Sequence, residues 1–513
     1  MHVMGWAVLL IVAWGTLAFG APYDWAYWPL LAACVAVGVW GLLRRVRSVR
    51  RGVHAAVLAG LLLTAGAIGV QLVPLERATL QRVSPATDAF LMKYDVGFAL
   101  RVRQAQAPQS ASQPDQQRAT QSIPQPASQP IQHPISINPP RTWVGLAMLG
   151  ALGIFLLGLA RGLGGRDLRT IAPGLTAFGV VLAFIGIAQK AVWNGKVYGF
   201  WEPLEPGSGP FGPFINRNHF AGWMLLVIPV AIGYFSAQIA KGMQGVKPGW
   251  RRRIVWFSTN QANRTVLTGF AIVVMGFALV MTLSRSGVTC LLLALAISAI
   301  NVWRHQATLA KKRWLSGYLV FVFVLAVSWA GIDALAARFA EVDWKMGGRA
   351  LAWEDGWRIH EMFPWLGTGF NTYGTATVLY QRNDLVSHYL EAHNDYLQIL
   401  VEGGWLVAVP VLLTILLFAR EVWKRFKEAE DDPTGYWIRL GAVTGMVAMA
   451  FQSVVEFSLQ MPGNAALFCV LAAIAIRRTA ANHRSPNNHS GSVCANAVSV
   501  PAGRHTSASH SLP

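Results

Sequence analysis

Apolar segments long enough to cross a lipid bilayer recur along almost the whole chain of 513 residues. A helix needs about 18 to 20 apolar residues to span the hydrocarbon core, and helices satisfy their own backbone hydrogen bonds inside lipid. A transmembrane barrel would show alternating segments of about ten residues, which this sequence lacks. We therefore expect an all-α, polytopic membrane protein of about twelve transmembrane helices. The predicted spans are 4–20, 25–43, 53–73, 142–160, 171–189, 218–239, 265–283, 286–303, 315–332, 397–419, 437–457 and 463–477.

The positions of the basic residues indicate an orientation. Only 13% of residues are charged, against about 25% in soluble domains, yet the net charge is +19. Lysine and arginine concentrate in alternate loops, including 44–51, 161–169, 240–264 and 420–427. Cytoplasmic loops carry this excess, so both termini are predicted to be cytoplasmic. The charge is explained by topology, and no nucleic-acid partner is expected.

Metal, disulfide and signal-peptide signatures are not found in the sequence. The cysteines Cys34, Cys290, Cys469 and Cys494 form no CxxC pair, so neither a disulfide framework nor a zinc site is expected. The first apolar segment follows no lysine or arginine and is typical of an uncleaved first helix. We expect no metal and no cofactor.

Composition divides the chain into six regions. Two long segments face outward, and the second half of the first is rich in Gln, Pro and Ser and cannot bury a core. The regions are N-terminal helices (1–73), an outer loop (74–141, flexible from 104), a transmembrane core (142–332), a second outer loop rich in aromatic residues (333–396), C-terminal helices (397–478) and a disordered tail (479–513).

Polar residues at the outer ends of spans are candidates for function, because such groups are costly at membrane depth. The stretch GPFGPFINRNHFAGWM (209–224) introduces the sixth span. The stretch SRSG (284–287) puts Arg285 where one span ends and the next begins, so the chain must turn within about four residues. A structural alternative exists for each arginine: Arg217 as an interfacial side chain that extends toward water, and Arg285 as a charged turn residue. The candidates in the first stretch are Asn216, Arg217, Asn218 and His219.

The second outer loop adds two more clusters. Arg349 precedes a pair of tryptophans at helical spacing in 341–374, which a structural cap would also explain. His393 precedes a predicted helix start, with Asn394 as its N-cap, and Glu402 lies in the following span. Glu391, His393 and Asp395 alternate along the chain, and residues two apart do not share a helix face, so a metal site is disfavoured.

Two arginines and a histidine at one membrane surface fit a phosphorylated lipid. The guanidinium is always charged and binds phosphate through two parallel hydrogen bonds. Histidine can take a proton from a hydroxyl near neutral pH. A sugar diphosphate already has a good leaving group, so charge stabilisation and one base suffice without metal. No Walker A motif is present.

Taken together, INRNHFAGWMLL, TLSRSG, RALAWEDGWRIHEMFPWLGTGFNTYG and EAHNDYLQILVEGG resemble the bacterial O-antigen ligase family, which shares a domain with O-antigen polymerases. The resemblance covers roughly 140–475. It implies a GT-C-type glycosyltransferase of the inner membrane, with a large periplasmic loop between helices nine and ten. Such enzymes take a glycan from undecaprenyl diphosphate on the periplasmic face, and the ligases attach it to lipid A-core.

The resemblance also implies roles for single residues. Arg217 and Arg285 match the diphosphate-binding arginines of the family, and His393 matches its essential histidine. Arg349 lies where family members often have an arginine before a Trp-containing stretch, and a weaker, supporting role is expected for it. Further candidates for support, chosen for their position at the outer ends of spans, are Asn216, Asn218, His219, Asn394 and Glu402.

Several alternatives stay open. A polysaccharide polymerase would use the same site, and a protein O-oligosaccharyltransferase would differ only in acceptor. A flippase for lipid-linked sugars would favour internal repeats and a polar central path, and neither is found. The Gln/Pro-rich insertion and the tail depart from the family pattern, so the acceptor is not assigned.

Overall fold

A computed structural model shows the fold of most of the chain. It describes residues 3–44, 54–106, 130–202, 209–242, 260–305, 317, 320, 348–383, 388–428 and 433–478. The predicted span 315–332 (apart from two positions), most of the predicted flexible loop, residues 333–347 and the predicted disordered tail lie outside the described residues.

Long apolar helices dominate the described part. They are α1 (Val3–Leu17), α2 (Asp24–Leu43), α3 (Ala55–Val70), α7 (Pro139–Gly162), α8 (Gly165–Ala191), α9 (Arg217–Gly242), α10 (Asn260–Met281), α11 (Arg285–His305), α14 (Asp395–Lys427), α15 (Pro433–Gln452) and α16 (Pro462–Ile476). Every predicted span except 315–332 coincides with one of them. Within the described residues, six are long and apolar enough to cross a membrane, namely α2, α7, α8, α9, α10 and α14. The mostly helical fold is confirmed, and the number of twelve spans stays a prediction.

Small residues let these helices pack closely. A Cβ at Gly41 of α2 would lie 2.3 Å from the carbonyl oxygen of Gly158 in α7, and a Cβ at Gly441 of α15 would lie 2.3 Å from that of Pro229 in α9. Such backbone contact is the usual way in which helices associate in lipid, where apolar burial between helices adds little.

The helical bundle has two ends, which are distinguished by the helices that begin or finish there. We call the end at which α9, α11 and α14 begin the loop end, and the other the opposite end. Arg44, after α2, bonds Asp167 near the start of α8 at the opposite end. Arg439 of α15 donates to the carbonyl of Arg477, just after α16. Since Gly5 of α1 packs against Thr170 of α8, α1 begins and α16 finishes at the opposite end.

A small lobe covers part of the loop end. Its elements are β1 (Leu75–Glu76), α4 (Arg77–Val83), α5 (Pro85–Tyr94), α6 (Val96–Gln106), β2 (Gln132–His133), α12 (Gly348–Met362) and α13 (Tyr373–Tyr380). Phe90 and Phe98 of the first outer segment share a buried core with Ile359 of the second, and β1 pairs antiparallel with β2. The two outer segments thus fold together.

The first outer loop was predicted to be flexible from residue 104, but both ends of this flexible part belong to the lobe. Helix α6 continues to Gln106, and 130–138 returns to the lobe through β2. Ile135 and Ile137 join the lobe core. Residues 107–129, which hold most of the Gln/Pro-rich sequence, are outside the described part.

Helix α14 is broken at Gly404. This residue has φ of 54° and ψ of −164°, a conformation that side chains disfavour. A Cβ there would also lie 2.6 Å from the amide nitrogen of Gly367. The glycine therefore lets 364–372 pack on the break, and separates a short N-terminal piece of α14 from its long C-terminal piece.

Candidate active site at the loop end

Three arginines from different parts of the chain meet around one cavity at the loop end. The cavity has a volume of about 190 Å³. Because three guanidiniums and one carboxylate face it, the lining carries a formal charge of +2. Its lining residues are Arg217, Asn218, Leu283, Arg285, Ser286, Arg349 and Glu456.

Arg217 and Arg285 reach the cavity because each is the first residue of a helix, α9 and α11 respectively. Gly287 brings these two helix starts together, since a Cβ there would lie 2.7 Å from the Cβ of Ala221. Helix N-termini favour anions through their free N–H groups and their dipole. The two starts therefore reinforce the positive charge of the side chains.

The predicted turn at SRSG is confirmed. Helix α10 finishes at Met281 and α11 begins at Arg285, with Leu283 between them in the left-handed region at φ of 54°. The Ser284 hydroxyl accepts from the Gly287 amide at 3.3 Å, so it caps α11. Arg285 therefore lies at the junction of two helices and not in the interior of one.

The start of α9 is fixed by its asparagines. Asn216 Oδ1 accepts from the amide of Asn218 at 2.8 Å, which orders the first turn. The carbonyl of Asn218 accepts from the Ser458 hydroxyl at 3.2 Å and from Gln452 Nε2 at 3.3 Å. Asn218 also lines the cavity, so it joins α9 to the connection between α15 and α16.

His219 is buried behind the cavity rather than in its lining. Its ring lies 4.6 Å from that of Phe457, and its carbonyl accepts from Asn464 Nδ2 at 3.1 Å. The ring of His393 contacts the same phenylalanine at 4.7 Å. Phe457 therefore separates a buried histidine from a partly exposed one.

His393 faces a buried carboxylate. Its Nδ1 lies 3.7 Å from Glu456 Oε2, and neither atom has a hydrogen-bond partner among the described residues. Glu456 is fully buried, and its other oxygen accepts from Arg349. The side chain of His393 is 26% exposed. Arg349, Glu456 and His393 thus form a row that runs from the cavity to an accessible imidazole.

The backbone of His393 is unusual. Its φ is 51°, in the left-handed region, which costs a residue other than glycine about 1–3 kcal/mol and persists only where the surroundings impose it. Asn394 follows as the N-cap of α14, and its Oδ1 accepts from the amides of Tyr396 and Leu397, both at 3.1 Å. The predicted N-cap is confirmed.

Glu402 does not line the cavity. It is buried and accepts from the amides of Asn371 at 2.7 Å and Tyr373 at 3.0 Å. Its carboxylate therefore holds the loop that leads into α13, and its link to the arginines is indirect.

No role was assigned from the sequence to Glu456, Gln398 or Gln460. Gln398 Nε2 lies 2.6 Å from Glu391 Oε2 and 3.0 Å from Gln460 Oε1. Burial, together with the nearby carboxylates of Glu402 and Asp395, raises the pKa of Glu391 to about 8. Gln398 lies within the stretch EAHNDYLQILVEGG, which was a local signal, but nothing in the sequence near Gln460 points to this network.

The described residues hold no group of three or more His, Cys, Asp or Glu side chains arranged to bind a metal ion. The charged groups that line the cavity are guanidiniums and a carboxylate. The arrangement suits a dianionic ligand beside a histidine.

Part of the chain matches a known protein family. Residues 270–412 match the family model described as O-antigen ligase. The match includes Arg285, Arg349 and His393, while Arg217 and Glu456 lie outside it. No curated protein matches the chain. Residues 270–412 therefore carry the domain that this family model describes, and the rest of the chain lies outside the match.

Proposed function

We propose that the chain is a multi-pass glycosyltransferase of the bacterial inner membrane. It transfers a glycan from undecaprenyl diphosphate to an acceptor hydroxyl on the periplasmic face, in O-antigen ligation to lipid A-core. The observation that carries the proposal is the cavity, where Arg217, Arg285 and Arg349 meet beside the Glu456–His393 pair, with Arg285, Arg349 and His393 inside the matched domain.

The donor diphosphate binds at Arg217 and Arg285. A diphosphate diester carries about two negative charges, which match the formal charge of +2 in the lining. Each guanidinium offers two parallel donors to phosphate oxygens. Arg349 forms an ion pair with Glu456, which balances the negative charge of that carboxylate. Arg349 therefore has a supporting role.

His393 is the base. With its Nδ1 directed at Glu456, its Nε2 takes the proton from the acceptor hydroxyl. The hydroxyl oxygen then forms a bond to the anomeric carbon from the side opposite the diphosphate, while the bond from that carbon to the diphosphate oxygen breaks. The configuration inverts, and undecaprenyl diphosphate departs with its charge stabilised by the arginines. Glu456 stabilises the imidazolium that forms.

The loop end faces the periplasm in this proposal, and both termini are cytoplasmic. The support is the distribution of charge along the sequence, since lysine and arginine concentrate in 44–51, 161–169, 240–264 and 420–427, which adjoin helix ends at the opposite end. Cytoplasmic ends of membrane proteins carry such an excess of arginine and lysine. Membrane lipids surround the bundle.

The test is transfer by the purified protein. Radiolabelled undecaprenyl-diphosphate glycan is incubated with the protein and with lipid A-core, a second lipid-linked glycan or a protein acceptor in turn. We expect label on lipid A-core without added metal. Label on the second glycan would indicate the polymerase and label on protein the oligosaccharyltransferase, and no transfer to any acceptor would overturn the proposal.

A deletion strain gives an independent measurement. Loss of a ligase leaves lipid A-core without attached glycan, whereas loss of a polymerase leaves single repeats attached. We expect the first outcome.

A further inference from the structure

Two glutamine side chains behind His393 form a reciprocal amide pair. Gln398 Nε2 lies 3.0 Å from Gln460 Oε1, and Gln460 Nε2 lies 2.9 Å from Gln398 Oε1. Gln398 belongs to α14, and Gln460 to the 3₁₀ turn Ser458–Gln460 between α15 and α16. The pair therefore joins two segments that are remote in sequence.

Gln398 holds the residues that precede His393. Its Oε1 accepts from the amide of Ala392 at 2.9 Å, and its Nε2 lies 2.6 Å from Glu391 Oε2. Gln398 is 5% exposed, so water does not compete for these bonds. The side chain thus fixes the backbone on the N-terminal side of the left-handed residue.

Gln460 holds the residue that follows the N-cap and the segment that carries Glu456. Its Nε2 donates to Asp395 Oδ1 at 2.8 Å. The amide of Asp395 in turn donates to the carbonyl of Ser453 at 2.9 Å. The segment 453–460, which includes Glu456 and Phe457, is therefore tied to the His393 segment on both sides.

We propose that Gln398 and Gln460 are positioning residues for transfer, which hold His393 Nδ1 opposite Glu456 Oε2 by locking the His393 segment to the Glu456 segment. The inference rests on the proposed function. The left-handed backbone of His393 supports it, because a disfavoured conformation needs a surrounding structure that imposes it. Neither glutamine lines the arginine cavity, so the pair acts on the base and not on the donor.

The experiment measures kcat and the KM for lipid-linked donor in Gln460→Met, Gln398→Met and the double variant. Methionine keeps the length of the side chain and removes both amide functions. We expect each single variant to lower kcat by about 10-fold or more, because misplacement of a catalytic group is expensive. The KM for donor should stay within about 2-fold of wild type. The kcat of the double variant should lie within about 3-fold of the kcat of the slower single variant, because both changes break the same pair.

Gln238→Met is the matched control. Gln238 bonds the Thr268 hydroxyl at 3.0 Å between α9 and α10, away from His393, and its loss should leave kcat unchanged. Size-exclusion profiles and thermal midpoints identify folded variants. If Gln398→Met does not fold, Gln460→Met decides the question, since its side chain lies nearer the surface.

The outcomes separate the two proposals. Inactive wild-type protein would contradict the proposed function itself. Active wild type with a folded Gln460→Met variant of equal kcat would overturn the positioning role, as would a raised KM for donor with unchanged kcat. Independent, multiplicative losses in the double variant would also overturn it, because the two side chains would then act separately.

Discussion

Both ends of the helical bundle gather arginines, but the protein supplies their partners in different ways. At the opposite end, Arg425 contacts both Glu421 and Glu428, and Arg44 bonds Asp167 at 3.1 Å. At the loop end, Arg217, Arg285 and Arg349 line one cavity of about 190 Å³, with Glu456 as the carboxylate of its lining.

Under the proposed function, the difference separates structural arginines from those placed for a ligand. Arg439 shows the structural case, since it donates to the carbonyls of Arg425 and Arg477 inside the protein. A guanidinium has five donors in a fixed fork, and backbone carbonyls of the protein accept from two nitrogens of this one. The lining of the loop-end cavity carries a net positive charge, and the cavity provides space beside it. An anionic substrate requires both.

The largest contrast is expected between Arg285 and Arg44. Arg285→Ala and His393→Ala should each abolish transfer, a loss of at least about 100-fold, because one removes diphosphate stabilisation and the other the base. Arg285→Lys should also be damaging, since lysine lacks the fork. Arg44→Ala at the opposite end should transfer at the wild-type rate. Full activity of folded Arg285→Ala or His393→Ala in a membrane assay would refute the assignment.

A matched glutamate pair sharpens the comparison. Glu456→Gln should lower kcat by about 10- to 100-fold, because the neutral amide no longer stabilises the imidazolium. Glu421→Gln weakens contacts with His54 and Arg425 and should instead lower the free energy of unfolding by about 1–3 kcal/mol. Steady-state kinetics and thermal melts of both variants test this. Equal kinetic effects at the two ends would erase the distinction.

Helix contacts at the two ends give a smaller effect. Gly287→Ala should push α11 from Ala221 and disturb the spacing of Arg217 and Arg285, raising the KM for donor by about 3- to 10-fold. Gly41→Ala meets Gly158 at the opposite end. Both should cost about 1–3 kcal/mol of stability from overpacking, but only Gly287→Ala should change KM. A changed KM in Gly41→Ala would contradict the claim that donor binding depends on the contact at Gly287 and not on that at Gly41.

The smallest effects concern pH, and they have opposite signs at the two ends. Burial, Glu402 and Asp395 raise the pKa of Glu391 from 4.5 to about 8, against Gln398 and Arg141, which lower it. The native protein then holds a proton that the unfolded chain has lost, so stability should fall as pH rises from about 4.5 to about 8. Glu391→Gln should reduce this slope, as measured by thermal midpoints across that range.

His54 provides the reverse slope at the opposite end. Burial lowers its pKa below 6.5, helped by Arg478 and Arg425 and opposed by Glu421. The unfolded chain then binds more protons, so stability should fall as pH drops below 6.5. His54→Gln should abolish that loss and leave the slope due to Glu391 intact. If Glu391→Gln and His54→Gln both removed the same part of the pH dependence of stability, the two ends would not be independent.

Features with local signals were predictable from sequence. The long apolar helices follow from hydropathy, the turn before Arg285 from the double length of its apolar block, and the cap at Asn394 from residue type. The lobe was not predicted as a folded unit. Its core joins Phe90 and Phe98 to Ile359, and such remote contacts leave no periodic mark on short helices.

The same limit applies to the site. His393, Arg217 and Arg285 were selected as polar groups at membrane depth, which is a local property. The Glu456–His393 approach and the Gln398–Gln460 pair exist only because α14 and the connection between α15 and α16 meet in space. Side chains whose role is to hold another residue carry no composition or spacing that identifies them.

The break at Gly404 has a mechanical consequence. One chain segment runs from the Glu421–Arg425 cluster at the opposite end to Gln398 beside His393, and an unbroken helix would act between them as a rigid rod. The left-handed glycine divides that rod. Just after the break, the amides of Trp405 and Leu406 donate to the carbonyls of Pro364 and Trp365, so the long C-terminal piece of α14 is connected to the lobe segment 364–372 as well as to the short piece that carries Gln398.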